Sequence, residues 1–177
     1  MHVHGMHSRS LLSLLAGLLL TGCASRPALV TVPQVDLDRY LGTWYVIANI
    51  PYFLENGKVA TADRYARRPD GRFENVYVFR RGSFDTPEEE WHGVAWLPDA
   101  KDPTRWKVQF LWPFAADYLI IDLDTDYRWA VVGHPSRDYL WVLARERHLD
   151  AAIYQGILDR AKAQGYDPAR IQPVPQP

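Results

Sequence analysis

From Arg105 to Trp112 the chain reads Arg-Trp-Lys-Val-Gln-Phe-Leu-Trp, with Trp106, Val108, Phe110 and Trp112 at every second position. Successive side chains of an extended strand point to opposite faces, so this period puts the large residues on one face, against Lys107 and Gln109. Phe73, Asn75, Tyr77 and Phe79 alternate in the same way with Glu74 and Arg80. Comparable runs recur at 43–49, 59–65, 72–81, 91–97, 105–111, 117–122, 127–132 and 139–145. Asn56-Gly57, Pro69-Asp70-Gly71, Asp85-Thr86-Pro87, Pro98-Asp99, Asp102-Pro103 and His134-Pro135-Ser136 stand between them, all with turn chemistry. Eight short strands at this spacing predict an all-β, antiparallel fold, either an up-and-down barrel or a sandwich. No internal repeat is present, which argues against a propeller or solenoid.

The last run breaks the simple alternation. Tyr139, Trp141, Leu143 and Arg145 face one way and Leu140, Val142 and Ala144 the other, so both faces are apolar. A strand buried on both sides needs a cover outside the sheet. The next segment supplies it: Asp150 is placed to cap a helix running to about Gln164, with Gly165 at its end and Asp167-Pro168 blocking continuation. Leu149, Ile153, Ile157 and Ala161, joined by Tyr154 and Leu158, form one apolar stripe along it.

At the other end of the chain, Arg9 precedes an apolar run from Leu11 to Leu20, too short to span a bilayer. A basic start, a short apolar core and small residues after it describe a secretory signal over residues 1–22. It closes on Leu20-Thr21-Gly22-Cys23, which resembles the bacterial lipobox, where the cysteine takes the lipid and becomes the new amino terminus. Cys23 is the lipidation residue on this reading, and more than one acyl chain gives a stable anchor. Ala24 follows it, where an aspartate would resemble the inner-membrane retention signal; the outer membrane, on its periplasm-facing side, is therefore expected. Residues 23–34, with two prolines and little periodicity, read as a lipidated tether; extended, it would reach roughly 35 Å at about 3.3 Å per residue. One domain over 35–172 and a tail over 173–177 complete the organisation.

Cys23 is the only cysteine, so none remains for a disulfide, a thiolate metal site or a nucleophile. A formal net charge of −1 argues against nucleic acid as a partner.

Leu41-Gly42-Thr43-Trp44-Tyr45, Thr125-Asp126-Tyr127 and Tyr139-Leu140-Trp141-Val142-Leu143-Ala144-Arg145 resemble, in order and spacing, the three signature regions of the lipocalins. With Ile50-Pro51-Tyr52-Phe53-Leu54-Glu55-Asn56-Gly57 they are most similar to the bacterial lipoprotein members of that family, over roughly Val35 to Gln172. The resemblance implies an eight-stranded antiparallel up-and-down β-barrel, a calyx open at one end, with the C-terminal α-helix packed outside. It also implies a small hydrophobic or amphipathic ligand.

Physical reasons for the signature residues can be given from the chain alone. Gly42 permits a tight turn into the first strand, and Trp44 faces inward as a plug at the narrow end. Arg145 ends an inward face of the last strand, which neighbours the first if the sheet closes; its guanidinium can lie over the indole and donate to nearby carbonyls. Asp126 is expected to fix its turn by accepting local backbone N–H groups. These four read as structural closure. The expected ligand wall is Val46, Ala48, Asn75, Tyr77, Phe79, Gly93, Ala95, Phe110, Trp112, Tyr118, Ile120, Trp129 and Trp141, with the small residues leaving volume that the aromatics line. Tyr77, Tyr118 and Asn75 are candidates to hold a lipid head group. Arg64, Arg80 and Arg81 at the mouth are either attractors of anionic head groups or a solvated rim, and Glu88-Glu89-Glu90 reads as a soluble loop.

The expected partner is thus a fatty acid or lysophospholipid, with the membrane reached through the anchor; a homodimer is left open. No Ser/His/Asp constellation, paired inward carboxylates or phosphate-cradling loop is legible, so no enzyme, no catalytic residue, no metal and no cofactor is expected. The alternatives are a structural envelope lipoprotein and a haem or tetrapyrrole carrier, for which His134 near the rim is the one imaginable ligand.

Overall fold

The structure, a computed structural model, describes residues 26–177; the leader expected over 1–22 and the acylation expected at Cys23 lie outside the described residues. Eight strands follow one another: β1 (Gly42–Asn49), β2 (Lys58–Arg67), β3 (Phe73–Arg81), β4 (Glu89–Trp96), β5 (Arg105–Leu111), β6 (Phe114–Leu123), β7 (Trp129–Gly133) and β8 (Leu140–Ala144). Each pairs antiparallel with the next, and β1 pairs with both β2 and β8. The sheet therefore closes into a barrel, which leaves no free edge of β1 or β8 to recruit another chain.

The closed end is built around Trp44. Asp36 caps a single helical turn, α1 (Leu37–Tyr40), its carboxylate accepting from the backbone N–H of Asp38 at 3.0 Å and of Arg39 at 3.2 Å. That turn presents the Tyr40 carbonyl to the Trp44 indole N–H at 2.7 Å. Gly42 then bends the chain into β1 at φ +96°, a conformation an L side chain adopts only with strain. Arg145, one residue past β8, places its guanidinium 3.6 Å from the centre of the Trp44 ring. It donates to the carbonyls of Thr43, Arg39, Tyr40 and Leu41 at 2.6 to 3.2 Å.

Two cores result. Inside the barrel, Tyr40, Trp44, Val46, Tyr65, Phe73, Ala95, Trp106, Ile120 and Leu143 are buried together above the closed end. Outside it, α2 (Ala151–Ala163), capped by Asp150, lays Ile153, Ile157 and Ala161 against Ile121, Val131 and Val142. This second core explains why β7 and β8 are apolar on both faces.

Both ends of the described chain dock on the barrel. The tether expected over 23–34 is not free over its described part: Leu29 is buried in the outer core, and the Val32 N–H donates to the Ile120 carbonyl at 3.0 Å. Burial of Leu29 and pairing of an otherwise wet backbone outweigh the loss of chain freedom that two prolines have already reduced. The tail likewise forms structure. β1 and β2 pair only over Gly42–Tyr45 and Ala62–Tyr65; above that they part, and β9 (Gln172–Pro173) runs antiparallel to β1 in the gap. The Ala60 N–H donates to the Pro175 carbonyl at 2.8 Å, and the Gln176 amide donates to the Val46 carbonyl on one side and the Thr61 carbonyl on the other, at 2.8 and 2.9 Å. The alternation of the sequence gives no sign of this strand, since Gln-Pro-Val-Pro-Gln is too short and too proline-rich to read as one.

Candidate functional site

In an up-and-down barrel the β1–β2, β3–β4, β5–β6 and β7–β8 loops share one end, opposite Trp44. Below this mouth the barrel encloses a cavity of about 110 Å³. Five of the expected wall residues line it: Asn75 and Tyr77 from β3, Phe110 from β5, Tyr118 from β6 and Trp141 from β8. Tyr52, Glu55, Asp63, Tyr65, Val108, Ala116, Asp117 and Leu143 complete it. Tyr118 and Tyr40 share a hydrogen bond between their hydroxyls at 2.7 Å and form the floor.

The other expected wall residues lie elsewhere. Val46, Ala95 and Ile120 are inward but buried in the core below the cavity. Phe79 is inward but higher, edge-on to Trp91 with ring centres 5.0 Å apart. Ala48 faces out under α2, because a register shift between Val46 and Ala48 inserts one residue into β1 and reverses its parity. Asn49, not Ala48, then points inward. Trp129 also packs outside, with the Arg160 guanidinium 5.3 Å from its ring. Tyr127 at φ +59° ends the preceding turn, so β7 begins two residues later than expected and sends Ala130 and Val132 inward instead. Trp112 is 82% exposed: Pro113 offers no N–H to extend the ladder, β5 ends at Leu111, and the indole stands at the hairpin tip.

Nor do the small residues leave the volume expected of them. A Cβ on Gly93 would stand 2.8 Å from Cδ1 of Phe110, so that ring already fills the space. The Asp126 expectation is corrected too. The carboxylate that holds the β6–β7 turn is Asp124, which accepts from the Asp126 and Arg128 N–H groups at 3.2 and 3.1 Å and from the Arg128 guanidinium at 2.8 Å. Position 124 precedes the tight residue and can reach forward over it, whereas Asp126 lies within the turn and is exposed.

The cavity is acidic, against the expectation of no paired inward carboxylates. Glu55 turns in from the β1–β2 loop and accepts from Asn49 Nδ2 at 2.5 Å and from Trp141 Nε1 at 3.1 Å. Burial raises its carboxyl above the ordinary value, and the two N–H donors oppose this. Asp63 on β2 is pushed up to about 8, first by burial and then by the Glu55 charge. At neutral pH Asp63 is therefore a neutral acid with an O–H to donate. Asp63 shares the face of Tyr65, two residues on, and that alternation was a usable signal; Glu55 lies in a loop where periodicity says nothing. The Tyr65 hydroxyl and Asn75 Oδ1 are buried without a hydrogen-bond partner and both border the cavity.

Lys58 sits nearby, its ammonium 3.1 Å from the Trp91 ring centre and 3.7 Å from that of Phe79. Burial lowers it to about 8, with Glu55 acting in the opposite sense. The arginines considered as head-group attractors are engaged by the acidic run: Arg64 with Glu90 at 2.9 Å, Arg81 with Glu89 at 2.7 Å and Arg80 with Glu88 at 3.8 Å. His134 packs edge-on to Tyr139 and lies 3.0 Å from the Ser136 hydroxyl. Among the described residues no cluster of three or more His, Asp or Glu is placed to hold a metal ion.

Residues 35–176 match the model of the lipocalin-like domain. The chain is 36% identical over 168 residues to the outer membrane lipoprotein Blc of Escherichia coli, covering 92% of this chain and 93% of that protein. It is 31% identical over 154 residues to temperature-induced lipocalin-1 of Arabidopsis thaliana, covering 82% and 81%. Among solved structures, insecticyanin from the tobacco hornworm Manduca sexta superposes with a TM-score of 0.65 at 19% identity over 84% of each chain.

Proposed function

Because the chain belongs to the lipocalin family, we propose that it holds one amphipathic lipid with its head group in the calyx, and that it does so as an outer-membrane lipoprotein anchored through Cys23. The observation that carries the head-group reading is the pairing of two buried carboxyls with aromatic rings in one cavity. An ammonium suits such a site: Glu55 supplies the charge, Tyr52, Tyr77 and Trp141 supply ring faces, and Tyr65 and Asn75 supply free oxygens. Of the two ligand classes considered, this favours a lysophospholipid with an amine-bearing head. A fatty-acid carboxylate would meet Glu55 as a like charge in a poorly solvated space.

The cavity has room for about four waters at ~30 Å³ each, so a whole acyl chain does not fit beneath Phe110. That ring, 42% exposed and seated over Gly93, stands between the cavity and the mouth. Its rotation outward opens a continuous path, along which the chain lies against Phe110 and the mouth aromatics. Burying ~300 Å² of acyl surface is worth a gross ~7 kcal/mol. Immobilisation offsets part of this and the head group adds to it, which places the affinity in the micromolar range.

Two substitutions test the reading by native mass spectrometry and tryptophan emission. Val108→Trp fills the cavity from β5 and is expected to abolish one-to-one binding of lysophosphatidylethanolamine while the barrel remains folded by circular dichroism. Glu55→Gln is expected to weaken that lipid about tenfold, the worth of a ~1.4 kcal/mol charge contact, and to strengthen palmitate. A folded Val108→Trp protein that still binds at full affinity would place the ligand outside the calyx. Equal losses for both lipids in Glu55→Gln would remove the ammonium assignment.

A further inference from the structure

We infer that the mouth of the barrel lies against a lipid bilayer, held there because the anchor leaves the protein at that same end. The inference rests on acylation of Cys23, proposed above, and on two independent features of the described residues.

The first is where the amino-terminal segment leads. Asp36, at the start of α1, is at the closed end, its N–H donating to the Tyr127 hydroxyl at 2.7 Å. Moving backwards along the chain, Val32 is bonded to β6 and the Val30 N–H donates to the Gln164 side chain at 2.9 Å, just beyond the end of α2. The Pro27 carbonyl accepts from the Arg137 guanidinium at 2.5 Å, and Arg26 donates to the Ser136 carbonyl at 2.5 Å. Arg137 and Ser136 belong to the β7–β8 loop, one of the four loops of the mouth. The segment is thus a strap that climbs the outer wall from the closed end to the open one. Cys23 lies three positions before Arg26, a reach of about 10 Å at most for extended chain. A lipid on Cys23 therefore cannot leave the barrel hanging from its closed end. It ties the mouth to the membrane.

The second is what the mouth exposes. Phe53 and Leu54 on the β1–β2 loop, Phe84 on the β3–β4 loop, and Leu111, Trp112 and Phe114 at the β5–β6 tip are all exposed, at 80, 43, 41, 70, 82 and 72%. The three loops lie at one end of the barrel, and residues 110–116 carry no charge. Large apolar side chains gathered on one face mark a contact surface, and tryptophan and phenylalanine are suited to the boundary between headgroups and acyl chains. The absence of lysine or arginine from these tips points to insertion driven by apolar burial, so contact should not require anionic lipid and should resist salt.

The orientation gives a ligand a dry route: a lysolipid leaving the bilayer would pass the tip aromatics and Phe110 before its head reached Glu55.

The test uses the acylated full-length lipoprotein reconstituted in vesicles of phosphatidylethanolamine and phosphatidylglycerol. Cys23 is the only cysteine and is blocked by its lipid, so Trp112→Cys, Phe84→Cys and, at the closed end, Lys101→Cys can each carry a single environment-sensitive fluorophore. All three positions are exposed and need not disturb the fold. Labels at 112 and 84 should shift to the blue and be quenched at least twofold by brominated lipid, in low salt and in about 0.5 M salt alike. The label at 101 should not respond. In Leu111→Ser/Trp112→Ser/Phe114→Ser the quenching at 84 should fall at least threefold.

Quenching at 101 equal to that at 112, or none at 112 in vesicle-bound protein, overturns the inference. So does a shielded but unquenched label at 112 in a cross-linkable dimer, which would show a second copy covering the mouth. Protein lacking the acyl mass overturns the anchoring reading and the tethered orientation with it. Embedded tips with no lysolipid retained would instead leave the orientation standing and refute the ligand reading.

Discussion

Arg145→Ala is expected to lower stability by about 4 kcal/mol, more than removal of any ordinary surface arginine. Four carbonyls, of Arg39, Tyr40, Leu41 and Thr43, lose their charged donor at once, and Trp44 loses the cation over its ring. Hydrogen bonds to a charged group contribute about 1.5–3 kcal/mol each in isolation, and a partly desolvated cation–π contact about 1–2. The terms share one side chain and overlap, and the guanidinium is itself desolvated, so the net is well below their sum. For a domain of this size the loss corresponds to a fall in Tm of roughly 10–15 °C. Arg145→Lys should recover less than half, because an ammonium cannot stack flat on the indole while reaching four acceptors. Urea unfolding with unchanged m-value measures this directly. A loss under about 1 kcal/mol would mean that Trp44 and α1 close the barrel without the arginine.

The second large effect is the dependence of stability on pH through Asp63. Its folded value of about 8 stands above the ordinary 3.8. Between these limits the folded protein holds a proton that the unfolded chain releases, so stability falls as pH rises from about 4 to about 8 and levels off above. At ~1.4 kcal/mol per pH decade the gross loss is on the order of 5 kcal/mol, reduced where water reaches the cavity. Asp63→Asn keeps the shape and removes the titration. It should match the wild type near pH 4 and exceed it by several kcal/mol at pH 8, read as diverging Tm values across a pH series. Parallel curves for the two proteins would mean that Asp63 is ionised in the fold and solvated from the mouth.

What the sequence disclosed and what it concealed follow one physical line. Period-two alternation locates strands and, where the ladder is regular, their inner faces; Asn75, Tyr77, Phe110 and Tyr118 were found in this way. Arg145 over Trp44 was legible because closure makes the first and last strands neighbours whatever the loops do. Alternation fails wherever one inserted or omitted residue reverses the parity, and this happened at Ala48 through the β1 bulge and at Trp129 through the turn before β7. Trp112 continued a pattern that Pro113 had already stopped. Asp126 and Asp124 are two residues apart in a turn, where side-chain reach rather than period decides which carboxylate caps. Glu55 was concealed most deeply, since its inward course depends on the folded path of a loop. The strap and the tail were hidden because proline-rich segments look unstructured until a partner surface exists for them.

The seam between β1 and β2, filled by residues 172–176, has a consequence for how the molecule comes into being. The first strand of the barrel is finished by residues made more than a hundred positions later, with Gln176 bridging Val46 and Thr61. The upper wall therefore cannot be completed until residues 172–176 have been synthesised. Its assembly is a late event that waits on contacts of high sequence separation, the slow kind in folding. A tag fused directly after residue 176 would be attached to a working part of the barrel wall, at the seam between β1 and β2.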